Sequence, residues 1–283
     1  LELQERVVAS LTLSPSGTLV VPCFGGIMAL IDVTTGLAKH WIECSSPEYD
    51  LKTTPVIVNE TAIFSSSDGS LIQVALDSGI CSKFTSASSS SPSLTNVALS
   101  KNTIVVCRKS GEVSAFSTSN LSSPVWHFEP SGDQTPIFAS PTIVGDRVVV
   151  VNVTGTVRAW SLASGQLYWT FDISSLVLPA SNPTLVFSSP VAIPGSKDDQ
   201  RDPHQSDRVV IGCQNGTLLC LSAEDGSVQW HRPLHTRRRL LPQETDDDGM
   251  GSQPRIESKS QIFATPSLLI LPSTSTLALC VPT

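Results

Sequence analysis

The stretch "GTVRAWSLASGQLYW", Gly155 to Trp169, decides the fold, because the chain says nearly the same thing again as "GTLLCLSAEDGSVQW", Gly216 to Trp230. Self-similarity at a fixed period is the mark of repeat architectures. The phrase occurs five times, starting at Gly26, Gly69, Gly111, Gly155 and Gly216, at intervals of 43, 42, 44 and 61 residues, the last widened by an insertion. In four copies a second glycine follows ten residues on, at Gly36, Gly79, Gly165 and Gly226; the third copy has Leu121 there. Four or five residues later comes an aromatic: Trp41, Phe84, Trp126, Trp169 and Trp230.

A second, fainter element keeps the same period. It reads "IFASP" at Ile137–Pro141, "VFSSP" at Val186–Pro190, "IFATP" at Ile262–Pro266, and in reduced form "TTP" at Thr53–Pro55. Pro55 and Pro141 are 86 residues apart, two periods.

One unit can be read strand by strand. After Pro141 comes a short apolar strand, a Gly145-Asp146 turn, then "RVVVVNV", a Thr154-Gly155 turn, "TVRAWSL", a Ser164-Gly165 turn and "QLYWTF". Asp68-Gly69 and Asn215-Gly216 are strong hairpin signals, and a two-residue hairpin at the latter would pair Cys213 with Leu218. Four short antiparallel strands in about 43 residues is the content of one propeller blade. A run such as "RVVVVNV" is apolar on both faces, as a sheet sandwiched between two neighbours must be. The fold predicted is an all-β propeller of four-stranded antiparallel blades. A pair of β-sandwiches would also suit regular short strands, but not the fixed period.

Five repeats are full and the sixth is partial: after Pro266 it supplies "SLLILPSTSTLALCVPT" and then stops. The expectation is an incomplete seven-bladed ring, one domain over residues 1–283 that forms a fragment of a longer chain. An open ring would leave sheet edges and a blade face uncovered.

The composition agrees. Apolar residues make up 40% of the 283 and charged residues 15%, which permits a large core, and Ser, Thr, Val, Pro and Gly favour strands and turns. A net charge of −7 argues against a nucleic-acid partner. No apolar run approaches the ~20 residues of a membrane-spanning helix. The opening "LELQERVVAS" lacks the features of a signal peptide. Seven cysteines without a Cys-x-x-Cys spacing read as reduced thiols, with Cys213 and Cys220 at the edge of disulfide reach. A cytoplasmic location is expected.

The pattern Gly-x-Val-x-Ala-Leu-Asp-x-x-Thr-Gly-x-x-x-Trp resembles the quinoprotein-type, or PQQ-like, propeller repeat, over essentially the whole chain. In that family the late tryptophan docks on the next blade near a motif glycine. The resemblance assigns blade docking to Trp41, Phe84, Trp126, Trp169 and Trp230, with the glycines named above. Burying such a ring removes roughly 150–250 Å², worth at most about 4–6 kcal/mol. The phrase is thus read as glue between blades. The family's Asp, six residues past the first glycine, survives only as Asp32; Ala75, Ser117, Ser161 and Ser222 stand elsewhere. The adjacent cysteine pair often found in quinone-dependent dehydrogenases is absent, and the Ser/Thr-rich "FASP" elements supply no axial carboxylates for a calcium ion. No cofactor is therefore expected, pyrroloquinoline quinone included.

"RVVASLTLSPSGTLVVPCFGG", the "IFASP/VFSSP" elements and "VVIGCQNGTLLCL" are also similar to the C-terminal propeller of the β-alanine-activating branch of the animal acyl-CoA synthetase family. That likeness implies adenylating and carrier domains upstream in a parent enzyme.

Other candidates give less. The five histidines His40, His127, His204, His231 and His235 show no metal-ligand spacing. Neither a nucleophile elbow nor a phosphate-binding glycine loop occurs. "GSKDDQRDPHQSD" (195–207) and the segment 235–260 read as inserted surface loops, the latter with Arg237–Arg239 facing Asp246–Asp248 in sequence. Sequons at Asn59, Asn120, Asn152 and Asn215 are discounted without a signal peptide.

The function expected is a non-catalytic binding scaffold, with a protein partner or an adjacent carrier or adenylation domain, and neither nucleic acid nor membrane. The alternatives are a quinone-dependent dehydrogenase and an envelope protein-assembly propeller.

Overall fold

The computed structural model describes residues 6–85, 91–131, 135–176, 185–195 and 206–234, and two further strands at Ser267–Leu269 and Ala278–Cys280. It forms a β-propeller. Five four-stranded antiparallel sheets, each in simple sequential order, occupy residues 12–43, 56–84, 98–128, 142–172 and 191–233, here blades 1 to 5. The last two strands form a two-stranded sheet, where the sequence places the start of a sixth unit. The insertions at 195–207 and 235–260 lie almost wholly outside the described residues.

Blade 4 shows why this sequence makes this sheet. Its strands are Thr142–Val144, Arg147–Val151, Thr156–Ser161 and Leu167–Asp172. In the second strand Val149 and Val151 join a core shared with blade 5, while Val148 and Val150 join the core shared with blade 3. Side chains alternate across a strand, so a strand buried on both faces must be apolar throughout. The cores lie between blades: one joins blades 1 and 2 around Met28, Leu51 and Phe64, and another joins 2 and 3 around Ile63, Ile104 and Phe116. First strands of blades 3, 4 and 5 pack against one another, which sets the first strands round the axis and the fourth strands at the rim.

The hairpin between second and third strands differs from the expectation. Gly212, not Cys213, pairs with Leu218. The Cys213 amide donates to Thr217 O at 2.8 Å and the Gly216 amide to Cys213 O at 2.9 Å, with Gly216 at φ +81°. This is a three-residue loop, a type I turn followed by a left-handed residue that bulges the strand. The Asn-Gly signal marked the turn correctly but not its length. Cys220 pairs with Val210, and both Cys213 and Cys220 are free thiols.

Candidate binding site

At the rim, the repeated phrase brings a late side chain of one blade against the second glycine of the next. Trp126 of blade 3 donates its indole N–H to Leu162 O at 2.9 Å, and a Cβ at Gly165 would meet its ring at 2.6 Å. Trp169 of blade 4 donates to Ala223 O at 3.0 Å, and a Cβ at Gly226 would stand 2.7 Å from its ring. The two indoles are 9% and 8% exposed. Only a residue without a side chain lets the ring lie this close to the backbone.

Trp41 departs from that arrangement. It is 50% exposed, and His40 takes the docking place: its ring is the nearest neighbour of Gly79, and its Nε2 lies 3.2 Å from Asp77 O. The registers explain the exchange. Leu30, four residues past its first glycine, pairs with His40, just as Ala159 pairs with Trp169. Trp41 stands one residue beyond this register position and pairs with Ala29, so strand alternation turns it outward.

Phe84 pairs with Leu71 and packs into the core between blades 2 and 3, which also holds Leu121, the residue that replaces a glycine in blade 3. A second tie supports that interface. Arg108 of blade 3, 3% exposed, donates through Nη1 to Gly69 O of blade 2, a hydrogen bond the sequence reading did not foresee. Burial lowers the Arg108 pKa, against the opposing charges of Glu112 and Asp68. Trp230 is partly buried, and a Cβ at Gly36 would meet nothing within 4 Å. The first glycines Gly26, Gly69, Gly111, Gly155 and Gly216 all sit at positive φ in the strand 2–3 turns.

Asp68 stands beside Gly69. Burial works to raise its pKa, but the Lys83 ammonium at 2.5 Å and the Ser70 hydroxyl and amide prevail and hold it below the usual carboxylate range. A folded pKa below the unfolded one contributes stability above the ordinary carboxylate range, lost as pH falls through the folded pKa. Thermal midpoints measured from neutral pH downward should therefore fall less steeply in Asp68→Asn than in the wild type.

At the axis, the second sequence element does structural work of its own. Residues 52–54, 94–96, 138–140 and 187–189 occupy equivalent places before the first strands, with burial alternating residue by residue. The first and third residue of each, together with Val8, Ala9 and Ser10, line a cavity of about 210 Å³. Five uncharged polar residues line it, one from each blade: Ser10, Thr54, Asn96, Ser140 and Ser189. Val8, Leu94, Phe138, Phe187 and Lys52 also line it, and the two phenylalanine rings lie 5.8 Å apart. The polar lining residues of blades 2 to 5 are tied blade to blade. The Thr54 amide donates to Asn96 Oδ1 at 2.7 Å, the Asn96 amide to Ser140 Oγ at 3.0 Å, and the Ser140 amide to Ser189 Oγ at 2.8 Å. Lys52 is paired with Asp50 at 3.0 Å and lies over the Phe24 ring.

This axial funnel, whose exposed lining is polar, suits a chain segment that offers hydrogen-bonding groups. Sequence reasoning used only the elements at 53–55, 137–141 and 186–190 among these as period markers. Their alternation was the available signal that they face a common space. Among the described residues, no group of three or more His, Cys, Asp or Glu is placed to hold a metal ion.

The family model described as outer membrane protein assembly factor BamB, built on PQQ-like repeats, matches residues 82–264, well over half the chain. The chain belongs to this family. BamB from Moraxella catarrhalis has the same fold, with a TM-score of 0.61 at 15% identity, over 81% of this chain and 65% of that one. The computationally designed Ika8 protein matches with a TM-score of 0.61 at 16% identity, over 81% of this chain and 62% of that one. The PQQ-like propeller described here thus spans a little under two thirds of either structure's length. No curated protein sequence matches it. Nothing in these comparisons supports the likeness to acyl-CoA synthetases.

Proposed function

We propose that this PQQ-like propeller is a protein-binding scaffold that serves in protein assembly, and that it receives a segment of its partner in the axial funnel. The observation that carries this reading is the convergence of one uncharged polar residue from each of five blades on a single cavity that Phe138 and Phe187 also line. The family description, that of an assembly factor, supports the same class of function. The finer reading, a module at the end of an ATP-dependent adenylating enzyme, has no such support, and the assembly reading takes its place.

Aromatic residues at a rimmed pocket are where truncation costs most in protein interfaces. A photo-crosslinking amino acid at Phe187 should give a protein adduct of one discrete mass in cells. The same probe at Leu167, exposed on the outer strand of blade 4, should give none. Adducts from Leu167 and not from Phe187 would move the interface to the rim. Absence of protein adducts from both would overturn the reading. Phe187→Ala with Phe138→Ala should weaken capture of that partner by about tenfold or more.

A further inference from the structure

Blades 1 and 2 share one feature that neither the repeat nor the funnel uses. Cys44, just past the fourth strand of blade 1, and Cys81, the first residue of the fourth strand of blade 2, meet in the core between the blades. Both pack in that one core, close enough for each thiol to act on the other's ionisation. Cys44 is 5% exposed and Cys81 is partly exposed. Its backbone is held at both ends: Cys44 donates its amide to Gly26 O at 2.8 Å, and Cys81 is paired with Val74.

We propose that Cys44 and Cys81 form a reversible disulfide that cross-links blade 1 to blade 2, with a small-molecule disulfide such as oxidised glutathione as the oxidant. Cys81 is the attacking group. Its thiolate opens the glutathione disulfide, forming a mixed disulfide and releasing one glutathione thiolate, which takes up a proton. Cys44 then gives up its proton and attacks Cys81 Sγ, displacing the second glutathione. Two protein thiols are oxidised, one glutathione disulfide is reduced to two thiols, and the two cysteine protons end on glutathione.

The surroundings fit this order. The Cys44 thiol and the nearby Lys83 ammonium favour the Cys81 thiolate, so that its pKa is lowered. Burial pushes the other way at Cys107, and at Cys213 raises the thiol to about 11. A thiol with more thiolate character and a path to solvent reacts first. The site also lies at the interface where His40 docks in place of a tryptophan.

The test is to equilibrate the full chain in glutathione buffers of increasing oxidation, quench with acid, alkylate free thiols and digest without reduction. Trypsin would release Cys44 in peptide 40–52 and Cys81 in peptide 53–83, with one cysteine each. The expected product is these two peptides joined, in a chain lighter by two hydrogen atoms, with the thermal midpoint raised by about 5 °C or more. In Cys44→Ser the reaction should stop at a glutathione adduct on Cys81. Cross-links among other cysteines with both of these alkylated would overturn the proposal. So would a wild-type chain that stays at the Cys81 adduct or stays fully reduced in the most oxidising buffer.

Discussion

Trp169→Ala is expected to destabilise the propeller by about 3–5 kcal/mol, the usual cost of deleting a large buried aromatic. The loss has two parts: the ring leaves a hole in the core between blades 4 and 5, and Ala223 O loses the indole donor that crosses the interface. Chemical denaturation followed by circular dichroism reads the effect. Trp41→Ala is the control: it carries the same residue type in the same repeat, yet its side chain is 50% exposed, so its cost should stay within about 0.5 kcal/mol. Equal costs at the two positions would show that the repeat motif, rather than its packing, sets the stability. Gly226→Ala approaches the same contact from the other side. The new Cβ would lie 2.7 Å from the Trp169 ring, on a backbone at φ +74°. Steric conflict and backbone strain both act in the single variant, whereas in the Trp169→Ala background only the strain remains. The double variant should therefore be less destabilised than the sum of the singles.

The fold was legible because its evidence is periodic. Glycine spacing, turn dipeptides and strands apolar on both faces all repeat, and each repetition constrains the same blade. The rim was half legible. The position of the second glycine located Trp126 and Trp169 against Gly165 and Gly226, but in blade 1 the pairing register puts His40 rather than Trp41 in that place, and register is decided by hydrogen bonding rather than by residue type. The hairpin at Asn215-Gly216 shows a similar limit: the dipeptide signals a turn, while loop length depends on how the strands close around it. Trp160, the one tryptophan outside the repeated position, is 2% exposed and packs on Phe128 at 5.1 Å. No motif marks it because its role comes from its neighbours. The funnel residues of blades 2, 4 and 5 were visible as a repeated element, but those of blades 1 and 3 were not, and their convergence is a property of the ring. The pairings Arg108–Gly69 and Cys44–Cys81 join residues about a period apart, and no local pattern announces them.

Arg108→Met should cost about 3–5 kcal/mol, the range for breaking a buried charged network by removing one partner. A methionine fills similar volume, so packing is largely kept and the loss is electrostatic. Gly69 O would lose its donor, and Glu112, 4% exposed, would lose the positive charge that faces it. Glu112 would retain the Ser110 hydroxyl at 2.6 Å and His127 at 3.7 Å, which lessens the penalty without removing it. Arg108→Lys keeps the charge but not the planar fork that reaches the Gly69 carbonyl, so it should recover only part of the loss. Urea midpoints of the three proteins decide the matter. The interface between blades 2 and 3 is also where the repeat has lost its second glycine, with Leu121 standing in its place. A tryptophan cannot lie flat on a leucine, and the smaller Phe84 packs there instead. If Arg108→Met cost no more than a surface substitution, the apolar core that includes Phe84 and Leu121 would by itself hold these blades, and a buried arginine would sit there without stabilising them. A full loss would show that a charge-assisted hydrogen bond has replaced an indole as the tie between two blades.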